Sequence, residues 1–296
     1  MLKKTLINSA FKSICYKLFL LLAITSLLPS CAIFVSSAGN KIGASLSSAI
    51  LNNNDMEIIR DGAPAYLLLM DSLLSAEPDN AQLLLSASKL TSAYAGVFVT
   101  DTHRSQLMAD KSFGFSQRAL CLHKPKFCQL KSMPFKNFQQ LVSNSKPKNL
   151  PYLYALGSTW AGWIQAHSDD WNAIAEIPRV QYIMEKIVAL APHYDKGGPQ
   201  LYLGTLATIL PPALGGKPQI GKDYFIQAIE ISEGKNLLIK VMYAESYARL
   251  MFDKQLHDNL LNEVLSSETN ETDLTFINTF AQSRAKVLLA GSDEYF

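Results

Sequence analysis

The chain has 296 residues, of which 48% are apolar and 18% are charged, so it can form a sizeable core and is not a disordered chain. Its formal charge is +2, but four lysines and no acid precede residue 31, so the remainder carries −2. A nearly neutral chain lacks the electrostatic signature of a nucleic-acid-binding protein, and we expect no nucleic-acid partner.

Residues 1–30 predict a lipoprotein signal peptide. Lysines occupy its start, and the apolar stretch Leu18–Leu28 is too short for a membrane span. The stretch leads into Leu27-Leu28-Pro29-Ser30-Cys31, which resembles a bacterial lipobox with Cys31 as the lipidated residue. The alternative is an ordinary secretory signal followed by a chance cysteine.

A lipobox predicts covalent lipid on Cys31: a diacylglycerol and, usually, an amino-terminal acyl chain such as palmitate. Two or three chains anchor a protein stably where a single chain does not. Ala32 follows in place of aspartate, so the common inner-membrane retention signal is absent. We therefore expect an anchor in the bacterial outer membrane that faces the periplasm, with membrane contact through the lipid only and no other cofactor.

The rest of the chain predicts helices almost throughout. We expect residues 31–54 to form a lipidated tether and a first short helix, and residues 55–296 to form a single all-helical domain. Asp61-Gly62-Ala63-Pro64 predicts a helix start, because aspartate caps helices and proline suits the first turn. Only Val97–Thr100 shows the residue types that strands favour.

Turn sequences recur between the predicted helical hairpins. Pro78, Pro192, Gly234 and Thr269 mark four junctions, and the last two are 35 residues apart, close to the tetratricopeptide period of ~34 residues. The separation of 42 before them exceeds that period by about eight residues, roughly the length of Pro211–Pro218. The sequence thus predicts an all-α solenoid or bundle of helical hairpins with degenerate tetratricopeptide-like repeats and one insertion.

Cys121 and Cys128 are the two cysteines that remain once Cys15 leaves with the signal and Cys31 carries lipid. An even pair in an oxidising compartment favours a disulfide that closes a short loop. A metal site that includes His123 and two free thiols are the alternatives. The metal site lacks a nearby fourth ligand and the usual close cysteine spacing.

Familiar catalytic motifs are missing from the sequence, which has no His-Glu-x-x-His, no Gly-x-Ser-x-Gly and no phosphate-binding loop. Asp169 and Asp170 are better suited to capping the next segment than to paired acid–base catalysis. We therefore expect no enzyme activity and no metal site.

Aromatic and apolar residues form the candidate site. Trp160 and Trp163 share one face of a predicted helix, and tyrosines lie on the later hairpins. They are interpreted either as core residues or as the lining of an apolar pore or groove on the concave side of the solenoid. The insertion is either its rim or a merely structural loop. The candidate pore and rim residues are Trp160, Trp163, Tyr202, Leu210, Pro211, Pro212, Leu214, Gly215, Gly216 and Tyr243.

Several of these stretches resemble one protein family. Tyr202-Leu203-Gly204-Thr205 and Leu210–Pro218, with Asp61–Pro64 and the Pro78-x-Asn80 turn, resemble the TatT proteins, the T components associated with tripartite ATP-independent periplasmic (TRAP) transporters. With the lipobox, the resemblance spans roughly Cys31–Leu289. It implies a helical periplasmic lipoprotein with cryptic tetratricopeptide-like hairpins and an apolar pore or cleft in each protomer. Members can form trimers, so a homotrimer is among the implied assemblies.

The resemblance also implies an adaptor: a periplasm-facing accessory of a TRAP transporter that binds the solute-binding P component, an apolar small molecule, or both. An apolar ligand would gain about 25 cal/mol for each Å² that leaves water. The alternative function is a tetratricopeptide-like scaffold lipoprotein for cell-envelope protein assembly, which would bind proteins in a wet, polar groove.

Overall fold

The computed structural model describes residue 41 and residues 45–296. The expected signal peptide, Cys31 and most of the expected tether lie outside the described residues. A short helix at 45–51 precedes the main elements. These are α1 Met56–Ala76, α2 Ala81–Phe98, α3 Thr102–His123, α4 Phe135–Ser143, α5 Leu150–Ala166, α6 Trp171–Ile174, α7 Ile177–Leu190, α8 Gly198–Ala207, α9 Pro218–Ile231, α10 Leu237–Met242, α11 Lys254–Ser266, α12 Thr275–Ala290 and α13 Ser292–Tyr295.

Helix α1 begins earlier than the sequence predicts. Its N-cap is Asp55, whose side chain accepts two N–H groups of the first turn, so the expected start at Asp61 is wrong. Pro64 lies inside the helix, where it has no N–H to donate to the carbonyl of Arg60. The hydroxyl of Tyr94 on α2 donates to that carbonyl at 3.3 Å, so the neighbouring helix supplies the missing partner.

The first three helices form two successive antiparallel pairs, α1 with α2 and α2 with α3. Asn80 caps α2 directly after the Pro78 turn, and Asp101 caps α3. Short connections between long helices favour antiparallel neighbours. The end of α1, the start of α2 and the end of α3 therefore lie at one end of the body, where Arg118 of α3 donates to the carbonyl of Pro78.

Helix α5 lies at the centre of the first of two large cores. It packs against α2, α3 and α7, and its side chains Leu153, Leu156 and Trp160 are fully buried. The other large, fully buried side chains of this core are Met70, Leu83, Leu84, Leu120, Phe138, Ile183, Met184 and Ile187.

The later helices α9, α10, α11 and α12 enclose the second core, around Phe225 and Leu261. The sequence predicts a single helix over Leu237–Phe252. The α-helix instead ends at Met242 and continues as a π-helix over Tyr243–Ala248. A π-helix widens the backbone spiral, and such segments occur frequently at functional sites.

The predicted all-α class is confirmed, and the residues that the structure describes include no β-strand. Residues 45–296 belong to one compact unit. Within the described part of the chain, no helix is both long and apolar enough to cross a membrane. The tetratricopeptide-like repeat and the boundaries at residues 30 and 54 stay predictions.

Candidate functional site

The α8–α9 loop, residues 208–217, joins two helices that pack against each other. Helix α8 ends at Ala207, and Pro211-Pro212 cannot continue its hydrogen-bond ladder. The N–H of Lys217 donates to the carbonyl of Ala207 at 3.0 Å, which closes the loop at its base. The expected insertion between two helices of one hairpin is therefore a closed turn.

Two glycines shape this turn. The N–H groups of Gly215 and Gly216 donate at 3.1 Å to the carbonyls of Pro212 and Pro211. Gly215 has a φ of 88°, which other residues rarely adopt. Gly216 approaches the carbonyl of Leu210 so closely that a Cβ atom would collide with it. The loop geometry thus requires glycine at both positions.

Apolar side chains stay exposed around the loop. Ile209 is 43% exposed and Leu210 is 38% exposed, just before the prolines, and Ile220 on the first turn of α9 is 47% exposed. Pro212 is also exposed. Because the loop closes on itself, these residues lie at one end of the α8–α9 hairpin. Clustered apolar side chains at the surface are typical of interaction sites.

The α8–α9 hairpin packs against the π-helix Tyr243–Ala248. Gly204 of α8 lies against Phe225, where a Cβ would come within 3.0 Å of the ring. Phe225 stacks on Tyr243 with centroids 5.2 Å apart. Gln219, directly after the loop, donates from Nε2 to the hydroxyl of Tyr247 at 3.3 Å. The structure therefore brings predicted residue Tyr243 to the same hairpin as the loop, but as a buried packing residue.

A second group of tyrosines surrounds α8. Tyr154 of α5 makes edge contacts with Tyr194 at 5.2 Å and with Tyr202 at 6.1 Å. The hydroxyl of Tyr154 and the carboxylate of Asp195 both lie close to Gly198. Burial, followed by the charge of Asp195, raises the pKa of Tyr194 and of Tyr202 to about 12 and that of Tyr154 well above its usual range. All three hydroxyls are protonated donors at neutral pH.

The turn that carries this group has an unusual backbone. Asp195 and Lys196 both have a φ of 49°, and Gly197 has a φ of 85°, so three successive residues are left-handed. Non-glycine residues in this region cost about 1 kcal/mol or more each and persist only where the surroundings hold them. Gly197 packs against the backbone of Ala228, and Lys196 donates to the carbonyl of Thr272 at 2.6 Å.

Trp160 lies inside the first core. It is fully buried and packs against the rings of Phe113 at 5.0 Å and Phe138 at 6.3 Å. Its indole N–H has no hydrogen-bond partner among the described residues. This is the placement of a core residue, which is one of the two interpretations that the sequence allows.

Trp163 lies at the far end of α5. Its indole N–H donates to Asp110 at 2.7 Å, and the ammonium group of Lys131 lies 4.0 Å from the ring centroid. His167 stacks on the same ring at 4.8 Å. These contacts lie on α3, α5 and the segment before α4, apart from the α8–α9 hairpin. The pore lined by both tryptophans stays a prediction.

Cys121 and Cys128 are joined by a disulfide, with Cα atoms 4.4 Å apart. It fixes the turn that follows α3. His123, within the closed loop, stacks on Tyr152 at 4.1 Å and accepts from the side-chain amide of Asn149 at 3.1 Å. Among the described residues, no group of three or more histidine, cysteine or acidic side chains could hold a metal ion.

The structure thus divides the predicted site residues. The loop and Tyr243 share one hairpin neighbourhood, Tyr202 joins the tyrosine group, and the tryptophans belong to the first core or its edge. Sequence reasoning missed Tyr154, Tyr194, Asp195 and Gln219. The Asp195-Lys196-Gly197-Gly198 run signals a turn in the sequence, but the partners of that turn come from α5, α9 and the segment before α12, distant along the chain.

A search of the curated proteins finds no match to this chain. A model of a protein family, described as TRAP transporter T-component, matches residues 52–296. The match covers more than half of the chain and includes the α8–α9 loop and the tyrosine group. The chain therefore belongs to the TRAP transporter T-component family.

Proposed function

We propose that the protein is a lipid-anchored accessory of a TRAP transporter that binds the solute-binding P component through its α8–α9 hairpin. Family membership supports the transporter association. The lipobox-like sequence at Cys31 supports an anchor in the outer membrane with the helical body in the periplasm. The role proposed is binding, not catalysis.

The exposed apolar end of the α8–α9 hairpin carries this proposal. Ile209, Leu210 and Ile220 are each at least 38% exposed on a closed, hydrogen-bonded loop. A preorganised loop loses little conformational entropy when it binds, so more of the contact energy appears as affinity. Proline at two successive positions limits that entropy further.

We also propose that the protein handles a ligand with an apolar tail and an anionic end. The tyrosine group around α8 places the hydroxyls of the partly buried Tyr194 and Tyr202 beside apolar side chains of the first core. A few fixed donors within apolar surroundings are typical of small-molecule sites. A carboxylate would be held at its oxygens while its tail leaves water.

The test replaces Pro211 and Pro212 together by alanine and measures binding of the P component encoded in the same genome, by calorimetry. The more mobile loop is expected to weaken binding about tenfold, equivalent to about 1.4 kcal/mol, with a smaller change in the free energy of unfolding. The matched control replaces the exposed turn prolines Pro78 and Pro192 by alanine and should bind as the wild type does.

If both double variants bind the P component equally well, the loop is only a structural insertion and does not contribute to binding. Native mass spectrometry of the extracted protein tests the ligand separately, with an apolar carboxylate as the expected bound mass. Recovery of envelope proteins with neither a P component nor a small molecule would favour the scaffold alternative.

A further inference from the structure

Positive charge is concentrated in one part of the chain. Residues 111–168 contain eight lysine or arginine residues and no aspartate or glutamate. In the rest of 45–296, acidic residues outnumber basic ones by 25 to 14. Six of the eight lie in residues 124–148, the basic segment: Lys124, Lys126, Lys131, Lys136, Lys146 and Lys148.

The basic segment is held firmly on the body. The disulfide fixes its start, and Phe127, Leu130, Phe138 and Val142 insert into the first core with at most 3% exposure. Arg179 of α7 donates to the carbonyls of Leu130, at 3.3 Å, and Met133, at 2.6 Å. The apolar side chains thus face inward, and the charged side chains are left on the outside.

These lysines form no ion pairs within the described chain, although the charge of Lys131 acts on the carboxyl of Glu176. All except Lys124 are exposed, and none of the six lies within ion-pair distance of a carboxylate among the residues that the structure describes. The charges of Lys148 and Lys124 add to burial in lowering the pKa of His123. Lys124 and Lys148, at opposite ends of the basic segment, therefore both act on His123.

A shallow cavity of about 570 Å³ opens beside the disulfide. Its lining includes two cationic residues, Arg118 and Lys131, together with Gln117 and Gln129. The guanidinium of Arg118 also donates to the carbonyl of Pro78, and the ammonium of Lys131 lies over the ring of Trp163. Its lining includes no acidic residue. The cavity therefore adds a concave part, lined by two cations, to the positive surface.

We infer that the basic segment and this cavity dock an acidic surface of a protein partner. Faces that bind anionic membranes combine lysines with apolar side chains that enter the lipid. Here the large apolar side chains of the segment are mostly turned into the core, and Phe135, at 39% exposure, is stacked on Phe138. Charge complementarity of this kind mainly sets association rate and specificity. The inference goes beyond the α8–α9 hairpin and does not depend on its role.

The test measures binding of a fluorescein-labelled peptide of about ten residues, alternating glutamate and glycine, to the full-length protein. Lys126→Gln, Lys131→Gln and Lys148→Gln are combined in one variant. The control combines Lys89→Gln, Arg104→Gln and Lys286→Gln, which are also exposed and remove the same charge elsewhere. Circular dichroism checks that both variants fold.

The basic-segment variant is expected to bind the peptide about tenfold more weakly than the control variant, because it loses three exposed charge pairs that each contribute a small amount. Binding to the wild type should weaken as salt rises from about 0.05 M to about 0.5 M. A glutamine–glycine peptide should not bind.

Three results would overturn the inference. The first is equal peptide binding by the two variants, which makes the attraction nonspecific. The second is no peptide binding together with binding to phosphatidylglycerol vesicles, which makes the surface a membrane contact. The third is no peptide binding together with self-association that the basic-segment variant abolishes, which makes the partner a second copy of the chain.

Discussion

At the residue scale, the geometry of the α8–α9 loop requires that residue 216 has no side chain. A Cβ at Gly216 would collide with the carbonyl of Leu210, which is backbone and cannot rotate away. Gly216→Ala is therefore expected to lower the free energy of unfolding by about 2 kcal/mol, in the range of overpacked sites. Urea unfolding followed by circular dichroism measures the change.

Gly62 provides the control for this substitution. It lies inside α1, and a Cβ there would meet nothing within 4 Å. Gly62→Ala is expected to raise the free energy of unfolding by about 0.5–1 kcal/mol, because alanine favours the helix interior. Similar shifts in the two variants would mean that Gly216 tolerates a side chain and that the loop is not packed as described.

His123 makes a second residue-scale prediction, on pH. Burial first, and then the charges of Lys148 and Lys124, lower its pKa below the ordinary 6.5. Its Nε2 atom accepts from the amide of Asn149, so protonation would also remove that hydrogen bond. Since the folded state resists protonation, the contribution of His123 to stability is complete above about pH 6.5 and is lost as pH falls through the folded pKa.

NMR titration of the imidazole measures this pKa directly. Lys148→Gln should move the pKa upward, but not to 6.5, because burial is the larger cause. Lys217→Gln, on the distant α8–α9 loop, should leave it unchanged. A wild-type value at or above 6.5 would contradict the arrangement of charges around His123.

At the scale of elements, periodicity and turn residues predict most of the helices. Asn80 marks the start of α2 as expected, and Pro211-Pro212 with Gly215-Gly216 mark the break after α8. The start of α1 was misplaced because Asp61 and Pro64 have the residue types of a helix start. A tertiary contact, the hydroxyl of Tyr94, is what makes proline tolerable inside that helix.

The candidate site was less predictable, because its contacts join elements far apart in sequence. Trp160 and Trp163 are three residues apart on one helix, yet the first is buried in the core and the second is partly exposed beside a carboxylate. The spacing of two residues along a helix shows that they share a face, but it does not show which other elements pack on that face. The π-helix at Tyr243–Ala248 likewise has no sequence signature that periodicity detects.

At the scale of the whole molecule, contacts between the early and the late helices hold the two large cores together. Asn52 and Asp273 exchange two hydrogen bonds, at 2.8 and 3.2 Å. A third, smaller core joins α1 and α2 to α12 through Tyr94 and Phe276, and the ring of Phe98 lies 6.0 Å from that of Phe276. Together with the left-handed turn at Asp195–Gly197, these contacts link the two large cores at separate places.

The links predict that both cores unfold together. Trp160 lies in the first core and Trp163 packs against it, so fluorescence mainly reports that core, whereas circular dichroism reports every helix. The two transitions in urea should coincide.

Phe276→Ala should lower the free energy of unfolding by about 3 kcal/mol and should shift both urea midpoints equally, although the third core contains no tryptophan. Phe276→Leu, which keeps most of the apolar volume, should shift them less. If circular dichroism shifts and fluorescence does not, the halves unfold independently, and the contacts at Asn52 and Phe276 do not couple them.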